Sequence, residues 1–155
     1  MSRLVNPHGG GKLRPLMLEG AALADERSRA QSLPKVVASS REKGDVIMLG
    51  IGGFTPLEGF MTRADWEGVC ERYRTAAGIF WPIPITLSVS KDLADSLYAE
   101  EKVTLINAET SEILAVMEIH EKYSIDKQLE VEHVYRTVDP KHPGVAKVLN
   151  QGDVN

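Results

Sequence analysis

Two glycine-rich stretches carry residue types that can hold an anion through backbone N–H groups: GGGK at 9–12 and GIGGFTPLEGFM at 50–61. The first lacks the spacing. A phosphate-binding GxxxxGK[ST] loop needs glycine at position 6 and serine or threonine at 13, where the chain has Asn6 and Leu13, and no strand precedes it. It reads as an N-terminal turn. In the second stretch, Thr55, Pro56, Leu57 and Glu58 fit a capping box. Thr is at the N-cap, Pro at the first helical position, and Glu at the third, reaching back to the N-cap amide. A helix N-terminus attracts anions, but Glu58 fills that position itself and repels a sulfate or phosphate. The prediction is a single helical turn, entered through Gly52 and Gly53 at positive φ and broken at Gly59. It projects Phe54, Leu57, Phe60 and Met61 into a neighbouring core.

The remaining chemical groups are dispersed. The histidines stand at 8, 120, 133 and 142, with no HxxH or HExxH pair to place two imidazoles on one helical face for a metal. His142, in KHPG, reads as a turn residue. Glu100 and Glu101 are adjacent, so their carboxylates diverge and read as solvated surface. Cys70 is the only cysteine, which excludes an internal disulfide and a cysteine-based zinc site and suits a reducing compartment. Trp66, Val69, Cys70 and Tyr73 fall at i, i+3, i+4 and i+7, so the thiol is expected as a small buried hydrophobe and the aromatics as core. No position is assigned a catalytic, cofactor-binding or metal-binding role.

The elements that would position these groups follow from periodicity and punctuation. A helix is expected over 25–33, ended by Pro34. Strands are expected at 34–39 and 45–49, separated by a polar turn ending in Gly44. A helix over 62–74 has Thr62 and Asp65 as its cap. WPIPITLSV (81–89) cannot be a helix interior because of Pro82 and Pro84, and its alternation predicts an edge strand. Ser90 caps a short helix, and 103–106 with 113–119 form an antiparallel hairpin. Helices at 126–137 and 145–149 complete the chain. The class expected is α+β, a small mixed, β-rich barrel or open sheet with short inserted helices, and not a regular βαβ alternation.

The 155 residues suit one domain, or two small lobes at most. With 18 basic against 22 acidic residues the net charge is −4, and no run of five like charges occurs, which weighs against a sequence-independent nucleic-acid binder. No apolar run approaches the roughly 18 residues of a membrane span, and the first ten residues have no signal-peptide hydrophobic stretch. A cytoplasmic protein is expected.

Six blocks in order, PHGG (7–10), GGFTPLEGFM (52–61), WPIPITLSV (81–89), ILAVMEI (113–119), VYRTVD (134–139) and HPGV (142–145), resemble the N-terminal domain of ATP sulfurylase, or sulfate adenylyltransferase. The resemblance implies a PUA-like, β-barrel-related domain over 1–150, with 151–155 starting a linker to a nucleotide-binding α/β catalytic domain. It implies a family reaction in which ATP, accompanied by magnesium, and sulfate give adenosine 5'-phosphosulfate and pyrophosphate. The family's catalytic signature, QTRNPxHxxH, does not occur in these residues, so no catalytic residue is carried over and the domain is expected to be structural and inactive alone. The implied partners are its own catalytic domain and further copies in a homo-oligomer, with no cofactor, nucleic acid or membrane bound here. Exposed apolar surface would then favour self-association. Two alternatives accompany this reading: a stand-alone PUA-like RNA-binding module, which the acidic balance disfavours, and the start of a bifunctional sulfurylase and adenylylsulfate kinase.

Overall fold

A computed structural model describes residues 5–99 and 101–155; Glu100 of the Glu100–Glu101 pair lies outside the described residues. In chain order the elements are α1 (Gly20–Ala30), β1 (Lys35–Ala38), α2 (Ser40–Gly50), α3 (Arg63–Arg72), α4 (Lys91–Ser96), β2 (Lys102–Asn107), β3 (Ile113–Glu118), α5 (Lys127–Tyr135) and α6 (Pro143–Asn150). They divide into two compact units. One takes the chain up to Phe60 together with Lys102–Glu118, and the other takes Met61–Glu101 with Ile119–Asn155.

The first unit is built on an open sheet in the order β1-β2-β3. β1 pairs parallel with β2, from Lys35 opposite Thr104 to Ala38 opposite Asn107. β2 and β3 form the expected antiparallel hairpin, with an irregularity between Leu105 and Ile106. Val36 and Ala38 alternate inward on β1, and Val103, Thr104 and Leu105 are buried on β2. The Thr104 hydroxyl is satisfied there, donating to Ala30 O at 2.7 Å. α1 packs on β3, and α2 on β1 and β3. The α+β class and the open sheet hold, while three of the five expected strands form among the described residues.

Two local expectations are corrected here. Residues 45–49, expected as a strand, are the second half of α2. Ser39 Oγ accepts from Glu42 N at 3.4 Å and Ser39 N donates to Glu42 Oε2 at 2.8 Å, a capping box that starts a helix before the β-branched run is reached. The helical turn expected at 55–58 does not form. The Thr55 hydroxyl instead donates to Gly52 O at 2.7 Å and accepts from Arg14 N at 3.0 Å, the Thr55–Pro56 peptide is cis, and Glu58 pairs with the Arg14 guanidinium.

The second unit holds the helix with the clearest stripe. Thr62 Oγ1 accepts from Asp65 N, and Trp66, Val69 and Cys70 of α3 are buried. The helix ends with Tyr73 in the left-handed region at φ 55°, half-buried. Residues 81–89, expected as an edge strand, form no ladder and make only the isolated bridge between Val89 and Val154. Pro82 and Pro84 have no N–H to give. The segment buries Pro84, Ile85, Thr86 and Leu87 in succession, where a strand would alternate. Ser90 caps α4 as the sequence predicts, and Asp126, expected as the first residue of a helix, is the N-cap of α5. His142 is more than a turn residue: its Nδ1 accepts from Gly144 N and Val145 N at 3.2 and 3.4 Å and starts α6, which buries Val145 and Val148. Residues 151–155, read from sequence as the start of a linker, bond to Val89, Tyr123 and Ile125 through their backbone.

Candidate functional site

The glycine stretch is where sequence placed possible chemistry, and its geometry shows what it can do. α2 runs into a turn over 51–56 in which Gly52 takes φ +77°. Gly52 N donates to Leu49 O, Gly53 N to Met48 O at 2.7 Å, Thr55 N to Gly52 O and Leu57 N to Phe54 O. With those four donors engaged, the turn has no nest of free amides with which to cradle a phosphate or sulfate. The packing role expected for it is only partly as drawn. Met61 is buried, but Phe54, Leu57 and Phe60 are half-buried.

What the turn holds is another piece of chain. Residues 14–17, outside any regular element, lie along it: Arg14 N donates to Thr55 Oγ1, and Leu16 N and Met17 N both donate to Gly50 O at 2.8 and 3.1 Å. A Cβ on Gly52 would stand 3.0 Å from Pro15 N, and one on Gly53 would stand 2.5 Å from Met48 Cε. Gly52 is required by its positive φ and the opposing backbone, whereas at Gly53 the nearest atom is the end of the flexible Met48 side chain, which can move aside. The Arg14–Glu58 ion pair closes the arrangement from outside, with both side chains more than half exposed, so it contributes at most about 1 kcal/mol.

The other candidates are not brought together. Gly9, Gly10 and Gly11 form an exposed turn at positive φ, and the next helix begins only at Gly20. His8, His120 and His142 are exposed and His133 is half-buried. Among the described residues no three His, Cys, Asp or Glu side chains converge as a metal site. Cys70 is fully buried, and that burial, with the Glu130 and Glu71 carboxylates adding to it, pushes its thiol well above the ordinary range. It is inert packing, as expected. Trp66 is core too, its Nε1 donating at 2.8 Å to the buried Glu130 carboxylate.

A shallow groove of about 220 Å³ lies beside α1 and the β2–β3 hairpin, lined by Arg27, Gln31, Lys35, Ser111 and Glu112 among others. Sequence reading passed over both this groove and the 14–17 segment. The groove depends on strand pairing, but the apolar cluster Leu13, Leu16, Met17 and Leu18 was visible in the sequence, with Pro15 inside it arguing against a helix interior. Among the described residues no helix is long and apolar enough to cross a membrane.

Residues 5–155 match the family of PUA-like domains. The chain belongs to that family. This PUA-like domain is 54% identical over 155 residues to a sulfate adenylyltransferase of Thiobacillus denitrificans, with all of the chain matched. It is 58% identical over 153 residues to that of Chlorobium chlorochromatii, with 98% matched. It spans 38% of the length of each of these curated relatives. Among solved structures it is similar to a hexameric APS kinase from Thiobacillus denitrificans, with a TM-score of 0.68 and 29% identity over 79% of this chain and 24% of that one. The six-block resemblance therefore holds along the whole domain.

Proposed function

We propose that this PUA-like domain is the N-terminal, non-catalytic scaffold of a sulfate adenylyltransferase. The observation that carries the reading is the identity of more than half its residues, end to end, to enzymes of that name. The reaction joins a sulfate oxygen to the α-phosphorus of ATP while the bond from that phosphorus to the pyrophosphate leaving group breaks, and it depends on positioning and charge neutralisation. No residue described here is assigned to ATP or its magnesium under this reading. The amides of the glycine turn are engaged within the chain, and among the described residues no three carboxylates converge, so no step is assigned to them. The role left to the domain is to pack against and brace the polypeptide that performs the chemistry, in the cytoplasm and within an oligomer. Sulfate activation and ATP formation from adenylylsulfate are two directions of the same reaction.

The test replaces the matched 38% of the Thiobacillus denitrificans relative with this chain and measures pyrophosphate release with ATP, sulfate and magnesium. The fusion is expected to turn over within about tenfold of its parent, and the 155 residues alone not at all; tenfold corresponds to about 1.4 kcal/mol in the barrier. Turnover by the chain alone, or a folded fusion without turnover, overturns the reading.

A further inference from the structure

The glycine turn holds an irregular segment whose own side chains are left uncovered. Leu13, Leu16 and Met17, with Ile47 and Ile51 of the adjoining helix and turn, are 42–62% exposed. Leu16, Met17, Ile47 and Ile51 are neighbours. Leu16 N and Met17 N both bond to Gly50 O, Met17 Cγ lies 3.4 Å from where a Gly50 Cβ would stand, and Ile47 and Ile51 are one turn apart on the same face of α2. At about half exposure these four side chains present on the order of 400 Å² of apolar surface, a patch of the size that marks an interaction site. The backbone beneath is pinned by three hydrogen bonds and tight glycine contacts, so the patch is held in one shape before anything binds it.

We infer that this ribbon is the docking face for the remainder of the sulfate adenylyltransferase polypeptide, an inference that rests on the functional reading above. The occupant follows from two observations. More than half of each relative's length lies outside the match, so a large tethered partner exists under that reading. The patch is also close in size to the apolar share, somewhat over half, of the roughly 800 Å² per partner that a standard interface buries, so it can seat such a partner. A tethered domain meets the ribbon at millimolar effective concentration and needs less contact than a free second copy. The signature GGFTPLEGF is then a structural cradle that presents 13–17 to the catalytic portion.

The test places a cysteine at Leu16→Cys and, separately, at Ile51→Cys, and follows maleimide labelling peptide by peptide, with the buried Cys70 reporting that the fold is intact. In the 155-residue chain both sites label at the rate of an exposed thiol from 1 to 100 μM. In the fusion described above labelling slows at least tenfold and stays slow on dilution. Equal labelling in the two proteins overturns the proposal, and so does protection that appears in the short chain at high concentration or vanishes from the fusion on dilution, since a second copy then covers the face. Met17→Gln is the second variant: neutral in the short chain, it lowers the thermal midpoint of the fusion, and equal effects in both count against docking. Pyrophosphate release by the unsubstituted fusion separates the two ideas. Slow labelling without turnover breaks the functional reading, whereas turnover with fast labelling breaks the docking face.

Discussion

Gly52→Ala is the perturbation that tests most directly whether the glycine turn is a cradle. Gly52 sits at φ +77°, and a Cβ there would lie 3.0 Å from Pro15 N and 3.1 and 3.2 Å from the Arg14 carbonyl carbon and oxygen. An alanine in the left-handed region costs about 1–2 kcal/mol. The contact adds to this because the opposing atoms are backbone and cannot rotate aside. Residues 14–15 must retreat by a few tenths of an ångström, stretching the bonds from Arg14 N to Thr55 Oγ1 and from Leu16 N and Met17 N to Gly50 O. Weakening three bonds of about 1 kcal/mol net each by a third to a half adds about 1 kcal/mol. The sum is about 2–3 kcal/mol, or a fall of about 5–10 °C in Tm for a chain of this size. Thermal unfolding by circular dichroism measures that fall, and amide exchange at Leu16 and Met17 is expected to quicken by tenfold or more. Gly78→Ala separates the two contributions, since Gly78 has φ +81° but nothing within 4 Å of its Cβ position; it loses only the left-handed cost of about 1–2 kcal/mol. A Gly52→Ala protein within 1 °C of the parent, with unchanged exchange at Leu16 and Met17, would refute the reasoning.

Gly152→Ala is expected to cost about 2–4 kcal/mol, because its Cβ would stand 2.2 Å from Val89 O and 2.4 Å from Val89 C in the paired segment, whereas Gly59→Ala, with open space around it, should change stability by less than about 0.5 kcal/mol. Urea denaturation of both variants checks this, and equal midpoints would contradict it. Stability should also fall at alkaline pH. Burial raises both Cys70 and Tyr123 above their unfolded values, so the fold prefers the neutral thiol and phenol. Their contribution is complete below the unfolded values of about 8.5 and 10 and is lost as pH rises past them. The urea midpoint is expected to hold from pH 6 to 8 and then decline, with Cys70→Ala removing the first part of the decline; a midpoint flat to pH 10.5 is the contrary result.

Most of the local elements were legible because their signals lie within four residues of one another. Thr62, Ser90 and Asp126 each accept from an amide three residues on, and the polar run between 107 and 113 turns the hairpin. The same logic was available for Ser39 and Glu42, whose capping box starts α2, but the β-branched residues that follow suggested a strand and masked it. Thr55 and Glu58 show the reverse failure. Their spacing fits a box, yet both side chains are engaged by Arg14, 41 and 44 residues away, and no local rule anticipates that partner. The 81–89 segment alternates as a strand does, but burial of four consecutive residues decided its conformation.

By itself, the sequence determined the Thr62 and Ser90 caps, the α3 stripe with its inert Cys70, the antiparallel hairpin and the family, since each rests on side-chain types at short fixed spacings. Tertiary structure alone decided the parallel pairing of β1 with β2, the capture of 14–17 by the glycine turn and the apolar ribbon left outside. These depend on which backbone atoms meet across tens of residues. A glycine shows that something comes close; only the folded chain shows what.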